Sequence, residues 1–391
     1  MKVKPKYTVI DLFCGTGALS YGLSLQNQSF ETIAGIDLDR AATQTAAANH
    51  PSAKIICDRI ENVPPKAMMQ GLSVGKIDLI VGGPPCQGFT SLRPSRGTDL
   101  EDHRNNLYKQ FIKYVATLRP TAFLMENVVG LVNAGDGTLL KALLTGFHDV
   151  GYMVDWRIVN AANYGVPQKR ERFFLVGVKK SAVSKPVITF PIPTHKFRGK
   201  VIGTRHKTHY IENASVGMPA VTLWDAISDL PSIRSAEKSD KYRGPPRTEY
   251  QKARRSRLTL PLTLHEAANH SEKMLTVIRH SGSNANCLPK GLVTSGYSSC
   301  YSRLERDEPS TTITVKFTSP ASSKCIHPID DRSITPREAA RLQGFDDNFI
   351  FCGSKTDIAS QIGNAVPPLF GGSFASTLEQ ILDSQHSVQE F

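Results

Sequence analysis

Cys86 lies in a segment that suits the presentation of a reactive thiol, GGPPCQGFT at residues 82–90. The apolar run at 77–81 predicts a strand before it, and the two prolines end that strand because they fix φ and remove backbone donors. The glycines let a substrate approach the backbone closely. A thiol reacts as its thiolate, so Cys86 needs a neighbour that takes its proton or activates the electrophile. A buried structural cysteine at a strand end is the alternative interpretation.

Charged side chains follow other predicted strands. Glu126 comes directly after the apolar run at 122–125, and Arg170 and Arg172 lie two residues apart in a segment predicted to be extended. Side chains two apart on a strand point the same way, so both guanidinium groups are expected on one face. A carboxylate that caps the next helix and two exposed arginines are the simpler interpretations when each is taken alone.

A glycine turn, Gly15 to Gly17, separates the first predicted strand from a helix. Asp37 ends the second strand, where an acidic side chain can bind ribose hydroxyls. Because the turn lacks the third glycine of a dinucleotide fingerprint, a nucleoside cofactor without phosphates is favoured over NAD or ATP. Asp58, just past the third strand, can accept a hydrogen bond from an adenine amino group, and helix capping explains it equally well.

The candidate site residues lie within an alternation of short apolar strands and helical segments, as in βαβ units, and this alternation would position them. Strands are predicted at 7–13, 32–36, 54–57, 76–81, 122–125, 152–160 and 172–178, and helices at 18–25, 39–49, 138–150, 336–343 and 369–384. The candidate residues fall at the carboxyl ends of strands, where open parallel sheets bind ligands. We therefore predict an α/β protein.

The composition is that of a soluble globular protein, with 40% hydrophobic and 21% charged residues among 391. No apolar run approaches the ~18 residues of a membrane span, which argues against an integral membrane protein. Seven scattered cysteines without CxxC pairs indicate free thiols in a reducing compartment and no structural metal site. We expect a cytoplasmic protein.

Positive charge is concentrated in one stretch. The net charge is +12, and residues 195–260 contain 14 lysines and arginines against 6 acidic residues. Such a stripe, which includes Arg254, Arg255 and Arg257, suits a polyphosphate backbone, and a solvated basic face is the alternative. Because residues 181–325 lack βα periodicity, we predict a large domain that carries the candidate catalytic and cofactor-binding residues, at 1–190 and completed by 325–391. An irregular, basic second domain is predicted at 191–324.

Five ordered motifs together resemble those of the bacterial-type, single-chain DNA (cytosine-5) methyltransferase family. They are DLFCGTG at 11–17, PPCQGF at 84–89, ENV at 126–128, QKRERF at 168–173 and QIGNAVP at 361–367. Their order and spacing match as well as their letters. The resemblance implies a Rossmann-like S-adenosylmethionine-dependent methyltransferase sheet with a smaller, irregular target-recognition domain.

The resemblance also implies S-adenosyl-L-methionine as cofactor and assigns its pocket position by position. The implied residues are Phe13, Gly15, Gly17, Asp37, Leu38, Asp58, Pro85, Asn364 and Val366. Asp37 would hold the ribose, Asp58 the adenine, and Asn364 would return beside the first motif. At the position of Leu38, family members often place a larger side chain against the adenine.

Carbon 5 of cytosine is a poor nucleophile, so the implied chemistry begins with addition of the Cys86 thiolate to carbon 6. Glu126, kept protonated by burial, would hydrogen-bond ring nitrogen 3 and the exocyclic amine. Arg172 would contact the cytosine carbonyl oxygen and Arg170 would brace Glu126. Residues 91–104 would form a loop that closes over DNA, with Arg104 as its anchor.

The implied partner is double-stranded DNA with the target base flipped out of the helix. The chain would act as a monomer in a bacterial or phage restriction-modification system, associated with the nucleoid, alongside a separately acting endonuclease. A tRNA cytosine-5 methyltransferase of the same fold is an alternative, although its usual Cys-Phe-Thr tripeptide does not follow ENV here. A catalytically inert DNA-binding paralogue is a second, although such proteins typically lose the nucleophile or cofactor residues that this chain keeps.

Overall fold

The computed structural model describes residues 7–72, 74–85, 107–180, 188–197, 217–256, 261–293 and 299–386. A seven-stranded sheet forms the centre of the molecule. Its strands are β1 (Tyr7–Leu12), β2 (Phe30–Asp37), β3 (Lys54–Cys57), β4 (Leu79–Gly82), β5 (Ala122–Asn127), β6 (Tyr152–Asn160) and β7 (Glu171–Lys179). They are arranged in the order β3-β2-β1-β4-β5-β7-β6.

One strand of this sheet runs against the others. Neighbouring strands are parallel except at β7, which is antiparallel to both β5 and β6. Its first residues therefore lie at the edge where the other strands end. The predicted α/β class is confirmed. The reversed direction of β7 was not predicted, because hydrophobic periodicity does not reveal strand direction.

Alternation along the strands gives the sheet a core on each face, because successive side chains point to opposite sides. Ile10 and Phe123 belong to one core, whereas their neighbours Val9 and Leu124 belong to the other. The helices that follow the strands are α1 (Ala18–Gln26), α2 (Arg40–Asn49), α3 (Pro65–Met69), α4 (Leu107–Leu118), α5 (Gly130–Asn133) and α6 (Thr138–Asp149).

The second half of the chain is built from short elements. These are β8 (His195–Lys196), β9 (Met218–Pro219), α7 (Leu223–Ile227), α8 (Glu249–Arg255), α9 (Glu272–Arg279), α10 (Pro336–Leu342), α11 (Lys355–Asn364), α12 (Pro368–Gly372) and α13 (Ala375–His386). Reciprocal capping boxes begin α7, α10 and α11. Such caps satisfy donors that a short helix would otherwise leave unpaired.

A third apolar core joins segments from both sides of residue 325. Leu304 and Phe317 pack in it with Ile334, Phe345 and Ile358. Residues that the sequence assigned to two domains thus share one core, and the division at 324/325 stays a prediction.

Buried charges accompany this core. Arg332, Arg337 and Arg341 are among the largest fully buried side chains of the described chain. Arg332 lies 2.7 Å from Glu338, and although burial raises the pKa of that carboxyl, the charges of Arg332 and His327 bring it well below its usual range. A charge buried in this way is tolerated only when it is paired.

Several elements differ from the predicted ones. The expected final helix at 369–384 is two helices, α12 and α13. Neither α4 nor α11 was predicted. On α11, polar side chains face other segments of the chain, and Gln361, for example, accepts a hydrogen bond from Thr45. Within the described residues, no helix is long and apolar enough to span a bilayer.

Gly22 on α1 provides a test of the packing between α1 and α12. A Cβ atom at this position would lie 2.0 Å from the Pro368 carbonyl oxygen. We expect Gly22→Ala to lower the free energy of unfolding by ~1–3 kcal/mol, because backbone on the partner helix cannot yield easily. Urea denaturation followed by circular dichroism measures this.

Gly75→Ala is the matched control, since a Cβ there meets nothing within 4 Å. It should change the free energy of unfolding by no more than about 1 kcal/mol, and any change should be an increase. Equal effects of the two substitutions would contradict the close contact between α1 and α12.

Candidate active site

Polar side chains gather at one edge of the sheet, where β1, β2, β4 and β5 end and β7 begins. Glu126 is the penultimate residue of β5 and pairs in register with Phe174 of β7. Arg172, two residues earlier on β7, therefore reaches the same edge. The distance between these two side chains is set by the hydrogen-bonded ladder of neighbouring strands.

Glu126 and Arg172 form a buried ion pair. The Arg172 Nε atom lies 2.9 Å from Glu126 Oε1, and their side chains are 15% and 11% exposed. Burial raises the pKa of Glu126, and the charges of Arg172 and Arg170 oppose that rise. A carboxyl group in this balance can change protonation state when a ligand alters its surroundings.

The segment before the candidate nucleophile is attached to the same strand end. The Asn127 side-chain amide donates to the Pro84 carbonyl oxygen at 2.9 Å. A Cβ added to Gly83 would lie 3.0 Å from Glu126 Oε2, so glycine permits this close approach. Pro85 is exposed at this edge. Cys86 follows it in the chain and lies outside the described residues, as does Arg104.

Arg170 differs from its predicted role. It was expected to brace Glu126, but the ion pair of Glu126 is with Arg172. Arg170 is buried and donates to the carbonyl oxygens of Ile313, Gly363 and Ala365 at 3.3, 3.3 and 3.0 Å. Its effect on Glu126 is electrostatic, as the pKa of that carboxyl shows. Arg170 therefore joins three segments of the chain beside the site.

Gln168 connects segments of the chain beside the site, and the sequence predicted no role for it. It is fully buried, accepts from the Ile313 amide at 3.0 Å, and donates to Leu342 O and Gln343 Oε1 at 3.1 and 2.8 Å. The available signal was an uncharged polar residue beside the two arginines in QKRERF. Sequence spacing could not show which distant segments it would contact.

The glycine turn after β1 is held by the end of β2. Phe13, Gly15 and Gly17 all have positive φ, at 56, 51 and 71°. Asp37 Oδ2 accepts from the Gly15 amide at 2.8 Å, and Oδ1 accepts from the Asp39 amide at 2.9 Å. Burial raises the pKa of Asp37. The carboxylate thus shapes the turn in addition to any role toward a ligand.

Two more predicted residues lie next to this turn along the sheet edge. Leu38 is 63% exposed, which is unusual for a leucine at a strand end and leaves its side chain available to an apolar ligand face. The Asp58 amide donates to the Asp37 carbonyl oxygen at 3.0 Å, and Asp58 Oδ1 accepts from Asn62 Nδ2 at 2.8 Å.

The last motif also reaches this region. Asn364 is exposed, and the carbonyl groups on either side of it accept from Arg170. Val366 is half-buried against the core that contains Leu19 of α1, and α12 packs directly on α1. Together, the described residues of all five motifs converge on one edge of the sheet. Among these residues, no cluster of histidine, cysteine and acidic side chains is arranged to hold a metal ion.

The basic stretch requires a correction. Arg254 and Arg255 were expected to contact DNA, but Arg254 Nη1 lies 2.8 Å from Asp346 and Arg255 Nη1 lies 3.0 Å from Asp229. All four side chains are largely buried. Because the protein's own carboxylates neutralise these guanidinium groups, we reassign them to stabilising the fold. Arg257 lies outside the described residues.

Comparison with known proteins agrees with this geometry. The family of C-5 cytosine-specific DNA methylases matches residues 7–380. Type II methyltransferase M.AgeI of Thalassovita gelatinovora is 32% identical, over 95% of this chain and 98% of the relative. Type II methyltransferase M1.HphI of Haemophilus parahaemolyticus is 30% identical, over 95% and 86%. A candidate DNA modification methyltransferase encoded within an E. coli prophage has a similar structure, with a TM-score of 0.73, 26% identity and 97% and 100% coverage.

Arg172→Met tests the electrostatic balance at Glu126. Removal of the neighbouring positive charge should raise the pKa of Glu126 further, because an opposite charge within ion-pair distance favours the ionised form. Carbon-13 NMR titration of labelled glutamate side chains measures the change.

Arg157→Met is the control on the neighbouring strand, where Arg157 pairs with the more exposed Asp155 at 2.6 Å. It should leave the Glu126 titration in place. An unshifted Glu126 in Arg172→Met would show that burial alone sets its pKa.

Arg254→Ala and Arg255→Ala test the reassignment of the basic stretch. Arg254→Ala should lower the free energy of unfolding by ~3–5 kcal/mol, because it removes the guanidinium partner of the buried Asp346. Arg255→Ala should lower it by less, because Asp229 stays paired with Arg341. Lys252→Ala on the same helix breaks an exposed pair with Glu249 and should change stability by only about 0–1 kcal/mol. If urea unfolding gave similar values for all three, the buried ion pairs would not stabilise α8.

Proposed function

This chain belongs to the C-5 cytosine-specific DNA methylases, and on that premise we propose that it methylates a flipped cytosine in a specific duplex sequence through a covalent bond to Cys86. As a DNA (cytosine-5) methyltransferase it transfers a methyl group from S-adenosylmethionine to DNA. The observation that supports the covalent mechanism is the buried Glu126–Arg172 pair beside the segment that leads to Cys86.

The residues at the glycine turn fit the cofactor. A Cβ at Gly15 would meet nothing within 4 Å, so the turn is open to a ligand, and Leu38 presents an exposed apolar side chain beside it. We propose that Phe13, Gly15, Gly17, Asp37, Leu38, Asp58, Pro85, Asn364 and Val366 hold S-adenosylmethionine. When bound, the cofactor supplies an electrophilic methyl group. Asp37 already accepts two backbone amides, so it would meet the ribose as a fixed acceptor.

The protein's own residues prepare the base. The Cys86 thiolate forms a bond to carbon 6, and the electron pair of the carbon 5–carbon 6 double bond becomes available at carbon 5. Glu126 in its protonated form donates to ring nitrogen 3 and accepts from the exocyclic amine, which stabilises the charge displaced onto the ring. Burial favours that protonated form, because it raises the pKa of Glu126.

Arg172 can bind the base while it remains paired. Its Nε atom contacts Glu126 and its Nη1 group donates to Glu171 O at 2.7 Å. Nη2 has no hydrogen bond to the described part of the chain, and a guanidinium group carries five donors. We assign Nη2 to the cytosine carbonyl oxygen. Arg170, whose bonds go to three main-chain carbonyls, is then a positioning residue.

Release of the product restores the enzyme. Once carbon 5 carries the methyl group, water removes the proton from that carbon. The electron pair of the broken carbon–hydrogen bond re-forms the double bond, and the carbon 6–sulfur bond breaks to return the Cys86 thiolate. The chain thereby completes a turnover without any net change in its own atoms.

The DNA interface is proposed to include Arg104 and Arg257, together with the rest of the basic stretch that is not held in ion pairs. Because relatives such as M.AgeI are named type II methyltransferases, we further propose that the chain modifies DNA in a restriction-modification system. It would act as a monomer in the cytoplasm of a bacterium or in a phage-infected cell, alongside a separate endonuclease.

Cys86→Ala tests the covalent step. In DNA synthesised with 5-fluorodeoxycytidine in place of deoxycytidine, any target sequence contains the analogue. Its carbon 5 carries fluorine instead of hydrogen, so no proton can leave that carbon and the adduct is trapped. In the presence of S-adenosylmethionine, the unmodified chain should form a complex with this DNA that survives denaturing electrophoresis. The Ala variant should form none, because it has no thiolate to add to carbon 6.

Cys287→Ala is the matched control. Cys287 is an exposed thiol in the second half of the chain, and hydrogen bonding at Asn284 lowers its pKa, so it is a reactive cysteine away from the site. It should form the adduct normally. Methyl transfer by Cys86→Ala, or loss of the adduct in Cys287→Ala alone, would show that Cys86 is not the nucleophile.

A further inference from the structure

We propose that His50 is a positioning residue for the cofactor: it fixes the glycine turn through Gly17 and thereby sets the affinity for S-adenosylmethionine. This inference rests on the proposed role of that turn in the cofactor pocket. His50 belongs to none of the five motifs and was given no role by the sequence.

His50 lies directly beneath the turn. It is the C-cap residue of α2 and only 7% exposed. Its Nε2 atom is 3.1 Å from the Gly17 carbonyl oxygen. A Cβ added to Gly17 would lie 2.8 Å from the imidazole ring, so the ring and the turn are in full contact. Gly17 itself has φ at 71°, a conformation that needs to be held in place.

Two side chains, those of His50 and Ser20, lie within hydrogen-bond distance of the Gly17 carbonyl oxygen, and His50 is the better donor of the two. Ser20 Oγ is 3.1 Å from Gly17 O, but it is 2.6 Å from Asp11 Oδ2. A hydroxyl group has one proton to donate, and an ionised carboxylate takes it by the shorter bond. The Tyr21 amide also donates to Gly17 O, as the first bond of α1.

The protonation of His50 agrees with this donor role. A carbonyl oxygen can only accept, so we assign the proton of the neutral imidazole to Nε2, 3.1 Å from Gly17 O. Ser20 Oγ is farther from the same nitrogen, at 3.4 Å. Burial lowers the pKa of His50, which keeps the ring neutral in a mildly alkaline assay. Burial also raises the pKa of Asp11 to about 7, so at pH 8 that carboxyl is mostly ionised and accepts the Ser20 proton.

α2 is therefore tied to the turn at both ends. At its start, Asp39 caps the helix and Asp37, two residues earlier, accepts from the Gly15 amide. At its end, His50 donates to Gly17. Without the hydrogen bond from His50, the glycine turn would have more accessible conformations. Cofactor binding would then have to fix one of them, and the entropy lost in doing so would weaken the affinity.

Two substitutions separate hydrogen bonding from packing. His50→Phe keeps a ring of similar size but removes the donor, whereas His50→Gln keeps an amide donor that can reach Gly17 O. Titration calorimetry at pH 8 on the full chain measures the dissociation constant of S-adenosylmethionine. We expect a rise of about three- to tenfold for Phe, the effect of one hydrogen bond, and of less than about twofold for Gln.

Steady-state kinetics provide a second measurement. In His50→Phe the KM for S-adenosylmethionine should rise, while kcat and the KM for DNA stay close to those of the unmodified chain, because the base pocket is untouched. If the Phe variant fails to fold, His50→Met replaces it, since an unbranched thioether fills irregular space without a strong donor.

His265→Phe is the matched control. His265 is 2% exposed, and its Nε2 lies 2.8 Å from the Pro231 carbonyl oxygen, away from the turn. It should lower the unfolding temperature without altering cofactor affinity. Unchanged affinity in His50→Phe, or an equal loss in His50→Gln, would overturn the inference while leaving the methyltransferase function intact. If the unmodified chain did not bind S-adenosylmethionine, the proposed function would fail and the inference with it.

Discussion

The ion pair between Glu126 and Arg172 is the interaction on which the site depends. Without Arg172, burial of the Glu126 carboxyl at 11% side-chain exposure would favour its protonated form or destabilise the fold, and a buried guanidinium without a carboxylate would be costly too. Each makes the burial of the other tolerable. The reversed direction of β7 makes the pair possible, because a parallel strand would carry Arg172 to the opposite edge of the sheet. The antiparallel direction of β7 is therefore what allows the buried ion pair to form.

A polar network attaches the rest of the molecule to this pair. Arg170 and Gln168, which precede β7, reach segments around residues 313, 342 and 364. The third core, in the second half of the chain, relies in turn on buried arginines such as Arg332 and Arg341. Ionic groups need specific geometry, so this half has fewer alternative packings than a purely apolar core would allow. The same need makes it sensitive to loss of any single partner.

The sequence was informative where structure is local. The glycine turn, the strand ends at Asp37 and Glu126, and the α/β class all follow from short-range patterns, and they were predicted. The direction of β7, the partner of Arg170 and the burial of Arg254 depend on residues more than 40 positions away. Charge counting over 195–260 could not reveal that Asp346 neutralises Arg254, because the acidic partner lies outside the window counted. His50 was overlooked for the same reason, since its contact with Gly17 exists only after α2 has folded back.

The acceptors used by Arg170 have a further meaning for how such an enzyme diverges. All three are main-chain carbonyl oxygens, and two of the three bonds of Gln168 also go to the main chain. Every amino acid supplies a carbonyl oxygen, so these bonds of Arg170 do not themselves depend on the identity of the side chains at 313 and 365. Position 363 is different, because a Cβ there would lie 2.4 Å from the Val315 amide nitrogen. Substitutions that the surrounding core can accommodate at 313 and 365 would therefore leave the attachment of β7 to these segments in place.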